Sequence, residues 1–349
     1  MRASLPQIVD YPAHLEAAWQ QHLAPREPDA PTVISTFAGA GGSSLGYSMA
    51  GYHELLAVEW DNNAVETFKL NFSGVPVYHG DIAKLSVEEC MRLAGLTGPR
   101  QLDVLDGSPP CQGFSTAGKR DFNDDRNQLF REYVRLLRGL QPKVFVMENV
   151  SGMVKGKMKL IFADILRELK ASGYVVSARL LNAMWFGVPQ SRERMIFIGV
   201  REDLGIAPSH PKAESRPVVV RNIWDNMDNQ GFCSRVSPAL AAVIPKIKPY
   251  KDGGDVTGKT FFSTKRLAWD KPGRTISKDM VGTRSAMVHP SENRPISTAE
   301  AKRMGTFPDQ VFFVGGYKDI MPRIGNSVPP LFMRAIALHV RREVLDVTS

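Results

Sequence analysis

Cys111 stands in the run Asp106-Gly-Ser-Pro-Pro-Cys-Gln-Gly-Phe-Ser, behind two prolines that stiffen the chain and aim the sulfur. A free thiol with an ordinary pKa is only about 3% thiolate at neutral pH, so a nucleophilic cysteine needs positive charge or a helix N-terminus nearby. A lone cysteine reads as inert, but two other segments change that. Glu148-Asn149 closes the apolar run KVFVMEN, and Gln190-Ser-Arg192-Glu-Arg194 leads into RMIFIGV. If these runs are strands of one sheet, a carboxyl and two guanidiniums share an edge with Cys111. Singly, Glu148 reads as a surface carboxylate and each arginine as a partner of Glu193 or of solvent; together they point to a reactive site.

A second constellation suits a ligand rather than a reaction. Phe37-Ala-Gly-Ala-Gly-Gly-Ser follows the first β-rich run, and Gly39, Gly41 and Gly42 let the backbone turn tightly and approach a bound group. The strict dinucleotide fingerprint requires glycine at position 44, where Ser44 stands, which disfavours a nicotinamide. Glu59 lies 18 residues beyond Gly41, the spacing at which a carboxylate meets ribose hydroxyls. Trp60 can cover an adenine face, and Asp81-Ile82 closes the third run. The implied ligand is adenosine joined to something small.

The elements that must position these residues are seven short β-rich runs, VISTF, LLAVE, VPVYHGD, LDVLDG, KVFVMEN, VVSARL and RMIFIGV, each followed by a helical stretch in the first two-thirds of the chain. That alternation predicts an α/β fold with a mostly parallel sheet and helices on both faces, its ligands at the carboxyl ends of the strands. Residues 1–30, with prolines at 6, 12, 25 and 28, read as an N-terminal appendage holding one short amphipathic helix. Residues 31–205 form the catalytic and cofactor-binding domain, and 206–300 a smaller irregular domain. Residues 301–349 return to the large domain through LFMRAIALHVRREVL, whose apolar side chains recur at helical spacing behind a proline.

Composition narrows the classes. With 43% hydrophobic and 23% charged residues the chain can bury a core, which excludes wholesale disorder. No apolar run approaches the ~18 residues of a membrane helix, and the N-terminus lacks a signal peptide's apolar stretch, so the expectation is a soluble, cytoplasmic protein. Three scattered cysteines form neither a disulfide framework nor a zinc pattern, and no metal is expected. Residues 206–300 hold 15 Lys+Arg against 9 Asp+Glu, so that region supplies +6 of the net +8 and suggests a polyanionic partner.

Taken together, the residues resemble the cytosine-C5 DNA methyltransferases, in order from Phe37 to about Leu338. The resemblance rests on FAGAGG, Glu59-Trp60, Asp81, Pro-Cys-Gln at 110–112, Glu148-Asn149-Val150, QSRER at 190–194 and GNSVPP at 325–330. It implies an S-adenosylmethionine-dependent, Rossmann-like catalytic domain and a target-recognition domain within 206–300. It implies methyl transfer to carbon 5 of a flipped-out cytosine in duplex DNA. Cys111 would add to ring carbon 6, Glu148 would hold ring nitrogen 3 and the exocyclic amine, and Arg194 would donate to the base carbonyl. Arg192 would steady the thiolate, and Asn149 the Pro-Cys turn. Phe37, Glu59, Asp81, Asn326 and Ser327 would contact S-adenosylmethionine, leaving S-adenosylhomocysteine as product. Gln112, Ser115, Lys119, Arg126 and Gln190 would face DNA. The resemblance also implies a monomer, associated with the nucleoid through DNA, with a restriction endonuclease as a companion.

Two departures stand out. Ser35-Thr36 precedes Phe37 where many members carry an acidic residue, which weakens the expected bracing of the loop. Thr298-Ala299-Glu300 replaces the family's Pro-Arg-Glu, which leaves the bracing of the small domain open. Competing readings are a transfer-RNA cytosine-C5 methyltransferase, whose Cys-Phe-Thr tripeptide is absent, and a catalytically inactive sequence-specific DNA-binding protein.

Overall fold

The computed structural model describes residues 5–110, 128–154, 158–224, 227, 231–258, 260–261, 263–281 and 285–348. After α1 (Tyr11–Leu23), strands and helices alternate: β1 (Thr32–Thr36), α2 (Gly42–Met49), β2 (His53–Glu59), α3 (Asn62–Asn71), β3 (Val77–His79), α4 (Val87–Leu93), β4 (Val104–Gly107), α5 (Gln128–Leu140), β5 (Val144–Val150), α6 (Met158–Lys170) and β6 (Tyr174–Asn182). The short β7 (Gln190–Ser191) leads into β8 (Glu193–Arg201). All seven β-rich runs of the sequence are strands of one sheet, ordered β3-β2-β1-β4-β5-β8-β6. The first five are parallel, and β8 runs antiparallel between β5 and β6.

Period-two patterning explains the layers. Along β5, Val144 and Val146 join the core on one face while Phe145 and Met147 join the core on the other. β4 and nearly all of β5 are buried, as a parallel sheet covered on both faces requires. α5 buries Phe130, Tyr133, Val134, Leu137 and Leu140, one stripe at helical spacing.

Residues 206–300 contain α7 (Val220–Ile223), α8 (Pro238–Val243), α9 (Gly254–Thr257), β9 (Lys265–Arg266), β10 (Gly273–Arg274) and β11 (Met287–Val288). β10 pairs with β7, so this region is stitched to the large domain beside the QSRER segment. α10 (Thr298–Met304), α11 (Tyr317–Asn326) and α12 (Pro330–Val340) follow, and α12 packs on α2.

Residues 5–30 are not the appendage that their prolines suggested. Asp10 caps α1 by accepting from Ala13 N at 3.0 Å, and Tyr11 and Leu15 are buried in the main core. The Tyr11 hydroxyl donates to Arg303 O at 3.4 Å, and His22 Nδ1 lies 2.6 Å from Ser48 Oγ. The short amphipathic helix expected here joins α2 to α10, partners that its own sequence does not reveal. No helix among the described residues is long and apolar enough to cross a membrane.

Candidate active site

The chain leaves β1 toward β2 and β3 on one side, and builds β4 and β5 on the other. The carboxyl ends of β1 and β4 therefore flank the crevice where open α/β sheets bind ligands. A cleft of about 520 Å³ lies there, within the range of small-molecule sites. The loop after β1 forms one wall. Phe37, Gly39 and Gly41 all have positive φ, at 56°, 56° and 88°. A Cβ on Gly41 would lie 2.3 Å from the Phe72 ring, whereas one on Gly39 would meet nothing within 4 Å. Gly41 is thus required by packing against α3, and Gly39 leaves space open in the cleft wall.

Glu59 ends β2 with its carboxylate held by backbone N–H groups: Oε2 accepts from Gly39 at 2.7 Å, and Oε1 from Trp60 and Asp61 at 2.9 Å each. It braces the loop and lines the cleft beside Phe37 and the open indole of Trp60, which is 75% exposed. Gly42, Asn326 and Ser327 also line the cleft. Asp81 and Ile82 do not: Asp81 caps a short turn by accepting from Ala83 N at 3.0 Å, and Ile82 is buried in the core beneath.

The opposite wall is polar. Arg194 Nε lies 2.6 Å from Glu148 Oε1, and the two side chains are 14% and 10% exposed. Asn149 Nδ2 donates to Pro109 O at 3.1 Å, and its Oδ1 accepts from Val150 N at 2.9 Å, so one side chain ties the end of β5 to the Pro-Pro turn. Pro110 lines the cleft. Cys111, Gln112, Ser115, Lys119 and Arg126 lie outside the described residues.

The QSRER segment supplies two buried side chains with long-range partners. Gln190 is buried, donating through Nε2 to Met304 O at 3.3 Å and accepting from Ile276 N at 3.1 Å, so it braces two domains and does not face DNA. Arg192 is also buried, and its guanidinium donates to Ile276 O, Gly325 O and Ser327 O at 2.9–3.0 Å. Burial, helped by Arg194 and opposed by Glu148, lowers its pKa to about 9. Arg192 therefore clasps the small domain and the GNSVPP segment to the cleft floor. Its expected partner, the Cys111 turn, lies outside the described residues.

The cleft also takes in Thr275, Ser277, Lys278 and Arg323, none of which the sequence singled out. The first three follow β10, whose pairing with β7 no local pattern announces. Bracing of the small domain does not need the missing arginine at position 299. Glu300 closes a capping box with Ser297 and accepts both Arg294 terminal nitrogens at 2.8 and 2.9 Å. Arg303 pairs with Asp309 and donates to Ile223 O at 2.9 Å.

An adenosine-bearing ligand fits this lining. The three N–H bonds fix Glu59 while leaving about one acceptor site, on Oε2, for a ribose hydroxyl, since a carboxylate offers about four. Among the described residues no cluster of His, Cys, Asp and Glu is arranged to hold a metal.

Comparison with known proteins agrees with this geometry. Residues 31–342 match the family model described as C-5 cytosine-specific DNA methylase. The chain is 34% identical over 325 residues to the type II methyltransferase M1.HphI of Haemophilus parahaemolyticus, covering 88% of this chain and 85% of that one. It is 32% identical to M.FnuDI of Fusobacterium nucleatum, covering 90% and 95%. In fold it resembles a candidate DNA modification methyltransferase encoded within an E. coli prophage, with a TM-score of 0.75, 24% identity, and coverage of 91% and 100%.

Proposed function

The chain belongs to the C-5 cytosine-specific DNA methylases, and from that premise we propose that it methylates carbon 5 of a cytosine swung out of duplex DNA into the cleft, through transient attachment of Cys111. The observation that carries this reading is the Arg194–Glu148 pair at the edge that also holds the Pro109-Pro110 turn, facing the glycine loop across one cleft. S-adenosylmethionine, when bound, supplies an electrophilic methyl group.

The chain's own residues do the rest. Phe37, Glu59 and Trp60 hold the adenosine portion, and Asn326 and Ser327 flank the remainder. Asn149 fixes the carbonyl of Pro109, two residues before the nucleophile, so the sulfur is delivered at a set height above the base. Glu148 meets ring nitrogen 3 and the exocyclic amine, stabilising protonation there as Cys111 adds to carbon 6, and Arg194 donates to the base carbonyl. The ion pair they share keeps both preorganised. Extrusion of the base costs a few kcal/mol, offset by contacts of residues 206–300 and of Ser115 and Lys119 with DNA. The type II relatives favour a restriction endonuclease as companion.

A duplex containing 5-fluorocytosine at the target, incubated with S-adenosylmethionine, tests the reading. Carbon 5 then cannot lose its substituent, and a denaturation-resistant complex is expected with wild type and not with Cys111→Ser. Methylated product without any trapped complex would overturn the covalent route. Bisulfite sequencing of DNA from expressing cells gives the target site, and no conversion-resistant cytosine above background would overturn the activity.

A further inference from the structure

Two buried acids beneath the glycine loop have no part in the chemistry above. Glu54 stands on β2 and Asp106 on β4, the two neighbours of β1, and they are 7% and 2% exposed. Glu54 Oε1 accepts from Ser44 Oγ at 2.8 Å, and Asp106 Oδ1 accepts from Tyr47 Oη at 3.3 Å. Ser44 and Tyr47 are three residues apart, on one face of α2, and the first residues of that helix, Gly42 and Ser43, line the cleft. The helix that follows the cofactor loop is thus tied by side chains to the strands on both sides of β1. β1 itself ends in Ser35-Thr36, without the acid many family members carry there. Thr36 Oγ1 donates to the backbone carbonyl of Asp106 at 2.9 Å, and the buried acids stand on the two adjacent strands.

The hydroxyls donate to either form of a carboxyl and more strongly to the ionised one, so it is burial without a cation, and not the ties, that favours the neutral acids. Burial raises Glu54 to about 7, against the opposing effect of the Ser35 and Ser44 hydroxyls. Burial, then the neighbouring Glu54, raises Asp106 well above the ordinary carboxyl range, opposed by Ser43 and Tyr47 and reinforced by Glu148. The other titratable groups facing the pair are Tyr47 and Tyr133, both pushed up by burial, with Tyr52 packed edge-on against Tyr47. Neither carboxyl shift has a cationic contribution. Glu54 Oε2 and the nearby Ser35 Oγ are both buried without a well-formed hydrogen bond among the described residues, an arrangement tolerable for a neutral acid and costly for a carboxylate.

We propose that Glu54 and Asp106 are positioning residues for the methyl-donor site: as neutral acids they hold α2 and the glycine loop in the binding geometry, and ionisation places an unpaired charge in that buried packing, which draws in water and loosens it. The proposal rests on reading the cleft as an S-adenosylmethionine site. The test is calorimetric binding of S-adenosylhomocysteine to the full chain, across about pH 6 to 8.5, for wild type, Glu54→Gln and Asp106→Asn. If cofactor binding raises the pair's pKa by one unit, wild-type affinity falls about tenfold over this range. Glu54→Gln, which still accepts from Ser44 and does not ionise, is expected to show a much flatter profile. Wild-type and Glu54→Gln profiles that run parallel would overturn the proposal alone. A wild type that binds no S-adenosylhomocysteine at pH 6 removes the cofactor reading and the proposal with it. Thermal unfolding without ligand is the second readout. The folded state keeps the Glu54 proton up to about pH 7, while the unfolded chain loses it near 4.5, so stability falls as pH rises between those values and then levels. Glu54→Gln should remove that fall. If that variant does not fold, a wild-type melting temperature that stays flat across this window overturns the proposal.

Discussion

The sheet-based half of the molecule and residues 206–300 hold their functional groups in place by different means. In the first, strand ends do the positioning: Glu59 closes β2, Asp106 sits near the end of β4 and Glu148 near the end of β5, and hydrophobic layers on both faces set their heights. In the second, the strands are two residues long and the local apolar cluster is small. There a buried cation does the organising. The Arg266 guanidinium donates to the carbonyls of Ile244, Ile247, His289 and Glu292 and to Asn293 Oδ1. A basic region read as a DNA-facing surface thus uses some of its arginines internally. Arg294 likewise is bound to Glu292 and Glu300. The difference teaches that a regional charge excess gives an upper limit on phosphate contacts, because a short-stranded fold satisfies its loop carbonyls with guanidiniums.

The comparison can be broken or sharpened at four places. Glu148→Gln strikes the reacting edge of the sheet half, and methyl transfer should slow by about 10²–10⁴-fold while S-adenosylhomocysteine affinity holds, as read by single-turnover kinetics and calorimetry. Equal losses in both would place Glu148 in general structure. Arg266→Ala leaves buried carbonyls unpaired in the small half. We expect about 3–5 kcal/mol of lost stability, with DNA binding lost before cofactor binding. Urea unfolding followed by Trp224 and Trp269 fluorescence measures this, and a loss under ~1 kcal/mol would end the hub interpretation. Gly41→Ala tests the sheet half by addition, since the new methyl meets Phe72 at a backbone φ of 88°. Overpacking of that kind costs about 1–3 kcal/mol, read as a shift in denaturation midpoint. The smallest effect concerns salt. The slope of log affinity for duplex DNA against log salt should become shallower by about 0.9 in Lys278→Ala, which removes an exposed cation at the cleft. Arg294→Gln, already paired within the protein, should leave the slope unchanged.

What could be read early, and what could not, follows the same division. The seven strands were legible because each is a short apolar run bounded by turn residues, and Glu148 is placed by the end of its run, whereas Arg194 begins its own and reaches that edge only because β8 is antiparallel to β5. Asp106 and Glu54 were visible as acids interrupting LDVLDG and HELLAVE, a signal that deserved more weight, since a carboxyl within a buried strand needs partners. The burial of Gln190 and the carbonyl partners of Arg192 were not legible, because spacing places a side chain at an edge without saying which neighbour takes its hydrogen bonds. The helix at Tyr11–Leu23 was undervalued because its partners, α2 and Arg303, are distant in sequence.

By itself the amino-acid chain determined the sheet, its ligand-bearing edge and the family chemistry, since hydrophobic period, turn residues and short motifs are local properties. Only the tertiary structure decided which polar groups near that edge remain available to a ligand and which are bound to the protein's own backbone. That choice depends on carbonyls and carboxyls brought together from more than a hundred residues away, as when Arg192 meets Gly325 O, and no local pattern encodes such a meeting.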